Sequence, residues 1–195
     1  MVQPSERIPT VTLESQRRPQ AAPPTRPTAG DKALLAFAQS AELAVHDLYT
    51  TALEKGGYGE DEAAMIALFG EHHLAYAQSI GGLLGADAPN SRNDDLYRQF
   101  ASSLTGGASS NRILQTLENT LATTHTDVLG QLEGLDGATL VASIITVEAR
   151  HAAAFGTLPS LSLTSALDNA ALSLAPAATT TPTDTTDTTE TTVSQ

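Results

Sequence analysis

The chain has 195 residues, 41% of them hydrophobic and only 4% aromatic, with a formal net charge of −12, an isoelectric point near 4.6, and neither cysteine nor tryptophan. Without cysteine there are no disulfides, thiolate metal sites, iron–sulfur clusters or thiol catalysis, and so acidic a surface repels nucleic acid and anionic membranes. No apolar run approaches the roughly 20 residues of a membrane span, and abundant alanine and leucine favour helices in a single soluble domain.

Residues 1–30 hold six of the ten prolines and four arginines, so this stretch is expected to be a disordered tail. No basic segment followed by an apolar one opens the sequence, which makes the cytoplasm the expected location. Helical periodicity then begins. The first long helix is predicted over 31–55, with an apolar stripe of Leu34, Ala38, Val45, Tyr49 and Ala52 and a stop at Gly56-Gly57. The second is predicted over 61–84, with Asp61 as its cap and a stripe through Ile66, Phe69, Ala77, Ile80 and Leu84. A longer connection follows, and within it DDLYRQFASSL reads as a short helix. The third long helix is predicted over 110–133, capped by Ser109 or Ser110, and the fourth over 137–157, with Asp136 as cap and Pro159 as stop. Residues 159–176 read as a short docked segment or helix. Residues 177–195 are rich in threonine and acid, and are expected to be a disordered tail able to attach the domain to a partner.

Successive residues of an α-helix point about 100° apart, which allows the polar residues to be placed around each stripe. Glu42 and His73 fall on the apolar faces of the first two helices, Glu118 and His125 on that of the third, and Glu148 and His151 on that of the fourth. His46 and His72 fall at the edges. A buried carboxylate must be paired, hydrogen-bonded, protonated or bound to metal. The basic residues of the central region, Lys32, Lys55, Arg92, Arg98, Arg112 and Arg150, do not sit centrally on any stripe. Each polar residue alone reads more readily as a glutamate snorkelling to water or a hydrogen-bonded core histidine than as a ligand. Their recurrence on all four helices points instead to a divalent cation in the interior.

Two helical hairpins joined by one long crossover is an arrangement of ferritin-like bundles. Glu148-x-x-His151 is the spacing with which such bundles aim a carboxylate and an imidazole at one ion. Together with Glu42 and Glu118, and with the phrases LLAFAQSAELAVHDLYTTAL, FGEHHLAYAQSIGGLLG, ILQTLENTLATTH and ASIITVEARHAAAF, the region 31–158 resembles ferritin-like domain proteins of the actinobacterial, desiccation-related group. The resemblance implies an all-α four-helix bundle with its crossover between the second and third helices. It further implies an iron or manganese ion in preference to zinc, held by Glu42, His73, Glu118, Glu148 and His151, with His46 and His125 as outer candidates. A di-metal oxidoreductase consuming iron or peroxide, and a homodimer, would be in keeping with it. The second helix departs from the pattern. Phe69 stands three residues before His72 and Gly70 three before His73, so a carboxylate expected there is missing. A metal-free structural or stress-protective bundle that binds a partner stays open beside the metal reading.

Overall fold

A threonine and an aspartate cap each other where the first long helix begins. The Thr28 side chain accepts from the Asp31 amide at 3.2 Å, and the Asp31 carboxylate accepts from the Thr28 amide at 2.8 Å, satisfying two of the amides a helix start leaves unpaired. The computed structural model describes residues 22–158 and 162–174, and every regular element among them is helical. The four long helices are α1 (Ala29–Lys55), α2 (Glu60–Leu84), α4 (Gly107–Leu129) and α5 (Leu135–Thr157), with short helices α3 (Asp94–Ala101) and α6 (Leu163–Leu167). Among the described residues, no helix is long and apolar enough to cross a membrane.

α1 pairs with α2, and α4 with α5, as hairpins. α1 also packs on α4, and α2 on α5, so the four close a ring. The connection between the hairpins holds a 3-10 turn, Gly85–Asp87, and α3, which lies on α1. It is tied down along its length. The Asn93 amide donates to the Ser40 carbonyl at 2.8 Å, Gln39 and Asn90 exchange two hydrogen bonds, and Arg92 pairs with Asp47 at 2.8 Å. At the other end of α1, Gly56 and Gly57 have φ of +69° and +82°, and the Gly56 carbonyl accepts from the Gly107 amide at 3.0 Å. A side chain on Gly106 would run into that carbonyl, so the α1–α2 turn and the start of α4 meet backbone to backbone.

The helices depart from their expected bounds mainly at their starts. α2, α4 and α5 begin after Gly59, Gly106 and Gly134 rather than after Asp61, Ser109 or Ser110, and Asp136. Ser110 works differently, accepting through its hydroxyl from the amides of Thr105 and Gly106. α4 stops at Leu129 instead of reaching 133, because its end closes into a turn at Gly130. Of the tail expected over 1–30, residues 1–21 lie outside the described residues. The remainder docks: the carbonyls of Pro24 and Thr25 accept from the amides of Leu135 and Asp136, each at 2.9 Å. Asp31 accepts from the amides of Glu133 and Gly134, so the same α4–α5 turn is held twice.

Beyond α5, residues 162–174 include α6, which packs on α5, and are tied by hydrogen bonds to α4. Gln115 donates to the Ala166 carbonyl at 3.2 Å, and the Leu174 amide donates to Thr124 Oγ1 at 2.9 Å. The Thr-rich segment from 177 on lies outside the described residues.

The apolar interior has two parts. One gathers Val45, Leu48, Ile66, Leu114, Leu117 and Phe155; the other gathers Leu35, Ala38, Ile80, Val128, Val141 and Ile144. On α2, α4 and α5 the residues of one cluster and those of the other are separated by His73, His125 and Glu148, and on α1 Glu42 stands at the border between them, next to Ala41 of the first cluster. The fold therefore places a polar layer across the middle of the bundle, sealed above and below by hydrocarbon.

Candidate metal centre

Glu42 comes from α1, His73 from α2, Glu118 and His125 from α4, and Glu148 and His151 from α5. Glu42, His73, Glu118, His125 and Glu148 are wholly inaccessible to solvent, and His151 is 2% exposed. His73 sits at the centre. Its Nδ1 is 2.7 Å from Glu42 Oε2 and its Nε2 is 2.9 Å from Glu118 Oε1, so one ring joins the carboxylates of two other helices. His125 Nδ1 is 2.8 Å from Glu148 Oε1 and 3.7 Å from Glu42 Oε1. His151 Nδ1 is 3.5 Å from Glu118 Oε1, which is ionic contact beyond a good hydrogen bond. Tyr49 of α1, itself buried, donates its hydroxyl to Glu118 Oε1.

All five residues expected as ligands thus share one layer, and His125, an outer candidate in the sequence, is in it with them. His46 is not. It is half-buried, and its Nδ1 donates to the Gly70 carbonyl at 3.0 Å. Two neighbours of the layer were only faintly signalled. Tyr49 reads as an apolar stripe residue, and nothing in the sequence aims its hydroxyl. His72 reads as an edge residue, yet its Nδ1 is 3.1 Å from His151 Nε2.

Burial and charge set the protonation of this layer. Burial opposes ionisation of Glu118, but the charge of His73 and its hydrogen bond outweigh it and hold the carboxyl down at about 2. Burial raises Glu148 to about 7 against the pull of His125, with Glu42 and Glu118 adding to the rise. Burial alone would lower His73 and His125. The carboxylates beside them drive His73 well above its ordinary value and His125 to about 9. Burial and then the charge of Glu118 push the Tyr49 phenol well above its usual value, so it stays a donor. His72 moves the other way, lowered by burial and by the neighbouring His151 and His73.

Two groups of donor atoms lie within 4.8 Å of one another: His73, Glu118 and His151, and Glu42, His73 and Glu148. Either could hold a metal ion, and they share His73. Five buried polar atoms of the layer lack a hydrogen-bond partner: Glu42 Oε1, Glu118 Oε2, His125 Nε2, Glu148 Oε2 and His151 Nδ1. Unpaired buried donors and acceptors of this kind are costly. Carboxylate oxygens with imidazole nitrogens form a donor set suited to iron, manganese or zinc, so the residues present fit a cation of that type.

A bundle of two hairpins, one long crossover and a carboxylate–imidazole layer at mid-height defines a class of helical proteins built around an interior site. The family model described as "Ferritin-like domain" matches residues 30–160, and the chain belongs to that family. No curated protein and no solved structure matches it.

Proposed function

We propose that this ferritin-like protein binds a divalent first-row cation, iron or manganese ahead of zinc, in the polar layer of its bundle, and that it serves in the handling of iron or of oxidative stress. Glu42, Glu118 and Glu148 are the carboxylate ligands, His73 and His151 the imidazole ligands, and His125 joins them. The observation that carries this reading is the set of five unpaired polar atoms, drawn from five residues on three helices and all in one layer. Carboxylate oxygens and imidazole nitrogens left without partners between apolar clusters are what a cation site requires, the imidazoles giving up their protons to the entering ion.

A bound iron or manganese would supply a redox centre able to meet oxygen or peroxide. The chain's own residues do the rest. The three carboxylates provide the negative charge that makes the interior favourable for a cation. Tyr49 donates to Glu118 and so fixes which of its oxygens is free. His73 uses both ring nitrogens on Glu42 and Glu118, so it must give up one of those bonds to become a ligand. The missing carboxylate on α2 leaves the donor set poorer in negative charge than two full Glu-x-x-His motifs would make it.

One observation favours the second reading. His73, protonated between two carboxylates, can neutralise the layer without metal, and His125 does the same for Glu148. In that case the protein is a metal-free structural or protective bundle. Elemental analysis of protein purified without chelator separates the two. Near-stoichiometric iron or manganese that is lost in Glu148→Ala supports the first, and metal-free protein that gains no thermal stability from added Fe(II), Mn(II) or Zn(II) supports the second.

A further inference from the structure

We propose that His72 and His151 form a port through which a divalent cation reaches the buried carboxylates, held in passage between the two imidazoles. This rests on the metal reading given above and adds a route and a residue to it. Neighbours on a helix diverge by about 100°. With His73 turned into the core, His72 therefore falls at the edge where α2 meets α5, half-buried and open to solvent. Its Nδ1 faces His151 Nε2 at 3.1 Å. His151 is buried, and its other nitrogen, Nδ1, lies 3.5 Å from Glu118 Oε1 without a hydrogen-bond partner. A single imidazole ring thus separates a side chain at the surface from the carboxylate layer, and that ring presents one nitrogen to each side.

The spacing suits a cation. Two nitrogens bound to one first-row ion at about 2.0–2.1 Å are separated by about 2.9–3.4 Å for ligand angles between octahedral and tetrahedral. The observed 3.1 Å, which in the metal-free protein is a hydrogen bond between the two rings, lies in that interval, so an entering cation would replace the shared proton. The walls are aromatic: Phe69 stacks on His151 with ring centroids 3.8 Å apart and an interplanar angle of 17°, and the Tyr76 ring lies 6.3 Å from that of His72. Neither wall offers a carboxylate, so the imidazole nitrogens are the donors on this route. His46, also half-buried, offers no equivalent, because its Nδ1 is committed to the Gly70 carbonyl. The substitution of Phe for an acidic residue three positions before His72 then has a use. It leaves the port lined by rings, without a carboxylate that would trap the ion short of the interior, and with the guanidinium of Arg150 near enough to act on His72 and Tyr76.

The test is the rate of loading, followed by the absorbance of Co(II) mixed rapidly with the full-length, chelator-treated protein. His72→Phe and His72→Gln are compared with the wild type. Both variants are expected to reach the wild-type stoichiometry and final spectrum, with a clearly lower rate constant. Wild-type rates in both variants would overturn the port. A lower final stoichiometry would also overturn it, by making His72 a resident ligand. Wild-type protein that takes up no Co(II) would overturn the metal centre itself, and the port with it.

Discussion

Gly70 and Tyr49 share one small space, since a Cβ built on Gly70 would lie 3.1 Å from the Tyr49 Cβ and 3.7 Å from its Cγ. Gly70 is three residues before His73, where a Glu-x-x-His motif on α2 would carry its carboxylate. The tyrosine ring occupies the room that side chain would need, and the same tyrosine donates to Glu118. Tyr49 therefore fills the space that a carboxylate at position 70 would need. Gly70→Glu is expected to destabilise the protein by about 1–3 kcal/mol through overpacking, and to cost less in a Tyr49→Ala background. Urea melts of the single and double variants measure this coupling; equal costs in both backgrounds would refute the shared space.

The same contact separates two glycines of one helix. Gly82 of α2 is exposed, with nothing within 4 Å of a built Cβ. Gly82→Ala should therefore gain helix propensity, up to about 1 kcal/mol. Gly70→Ala should lose some or all of that gain to the Tyr49 contact. Thermal melts of the two variants side by side decide it, and a Gly70→Ala protein as stabilised as Gly82→Ala would be the contrary result.

These relationships mark where the sequence stops being readable. The four long helices follow from a 3.6-residue period, and Glu42, His73, Glu118, Glu148 and His151 follow from their angular position on it, because both are properties of a single helix. The starts of α2, α4 and α5 were harder: each begins at a glycine that offers no side chain to recognise, while nearby Asp61, Ser109 and Asp136 carry the usual capping signal. The docking of Pro24 and Thr25 on the α4–α5 turn is made by backbone carbonyls alone. His125 stands two turns after Glu118 on the same face, so its membership was visible but not its partner Glu148. The Tyr49–Gly70 and His72–His151 contacts lie between helices, and only the packing angle sets them.

His125 and Glu148 form an enclosed pair at 2.8 Å with no exposed side-chain area. Glu148→Leu strands His125 in the interior and is expected to cost about 3–5 kcal/mol. His125→Leu together with Glu148→Leu removes both polar groups and fills the space with hydrocarbon. The double variant should therefore be more stable than the single one in guanidinium melts. A double variant as damaged as the single would mean that the pair is not the principal partner of either residue.

The metal-free protein should be most stable at mildly acidic pH. Glu118 is held at about 2, below its ordinary 4.5. Its contribution is present above pH 4.5 and is lost as pH falls toward 2. Glu148 is raised from 4.5 to about 7, so its contribution is full below pH 4.5 and is lost as pH rises through 7. His125 is raised from 6.5 to about 9; its contribution is full below pH 6.5 and is lost as pH rises through 9. His73, also raised, acts in the same direction. The three windows leave a maximum near pH 5, with a gradual decline on the alkaline side. Denaturant midpoints of chelator-treated protein from pH 3 to 10 trace this curve, and a maximum above pH 8 would contradict it.

Adding metal should tilt that curve. A cation that binds the folded state alone stabilises it by mass action, about 2.7 kcal/mol at a free concentration one hundred times the dissociation constant. Imidazoles must lose their protons to become ligands, so cation binding competes with the protons that carboxylates hold on His73 and His125. The competition weakens as pH rises. The gain in melting temperature on adding Mn(II) should therefore be small at pH 5 and larger at pH 8, moving the maximum in stability upward. EDTA should reverse it. A closed network of hydrogen bonds and ion pairs predicts no gain, since a layer already neutralised by its own imidazolium rings has nothing to gain from an added cation. The same melting temperature with Mn(II) and with EDTA, at both pH values and in wild-type protein, would decide for the network and leave Glu42, His73 and Glu118 as a structural clasp.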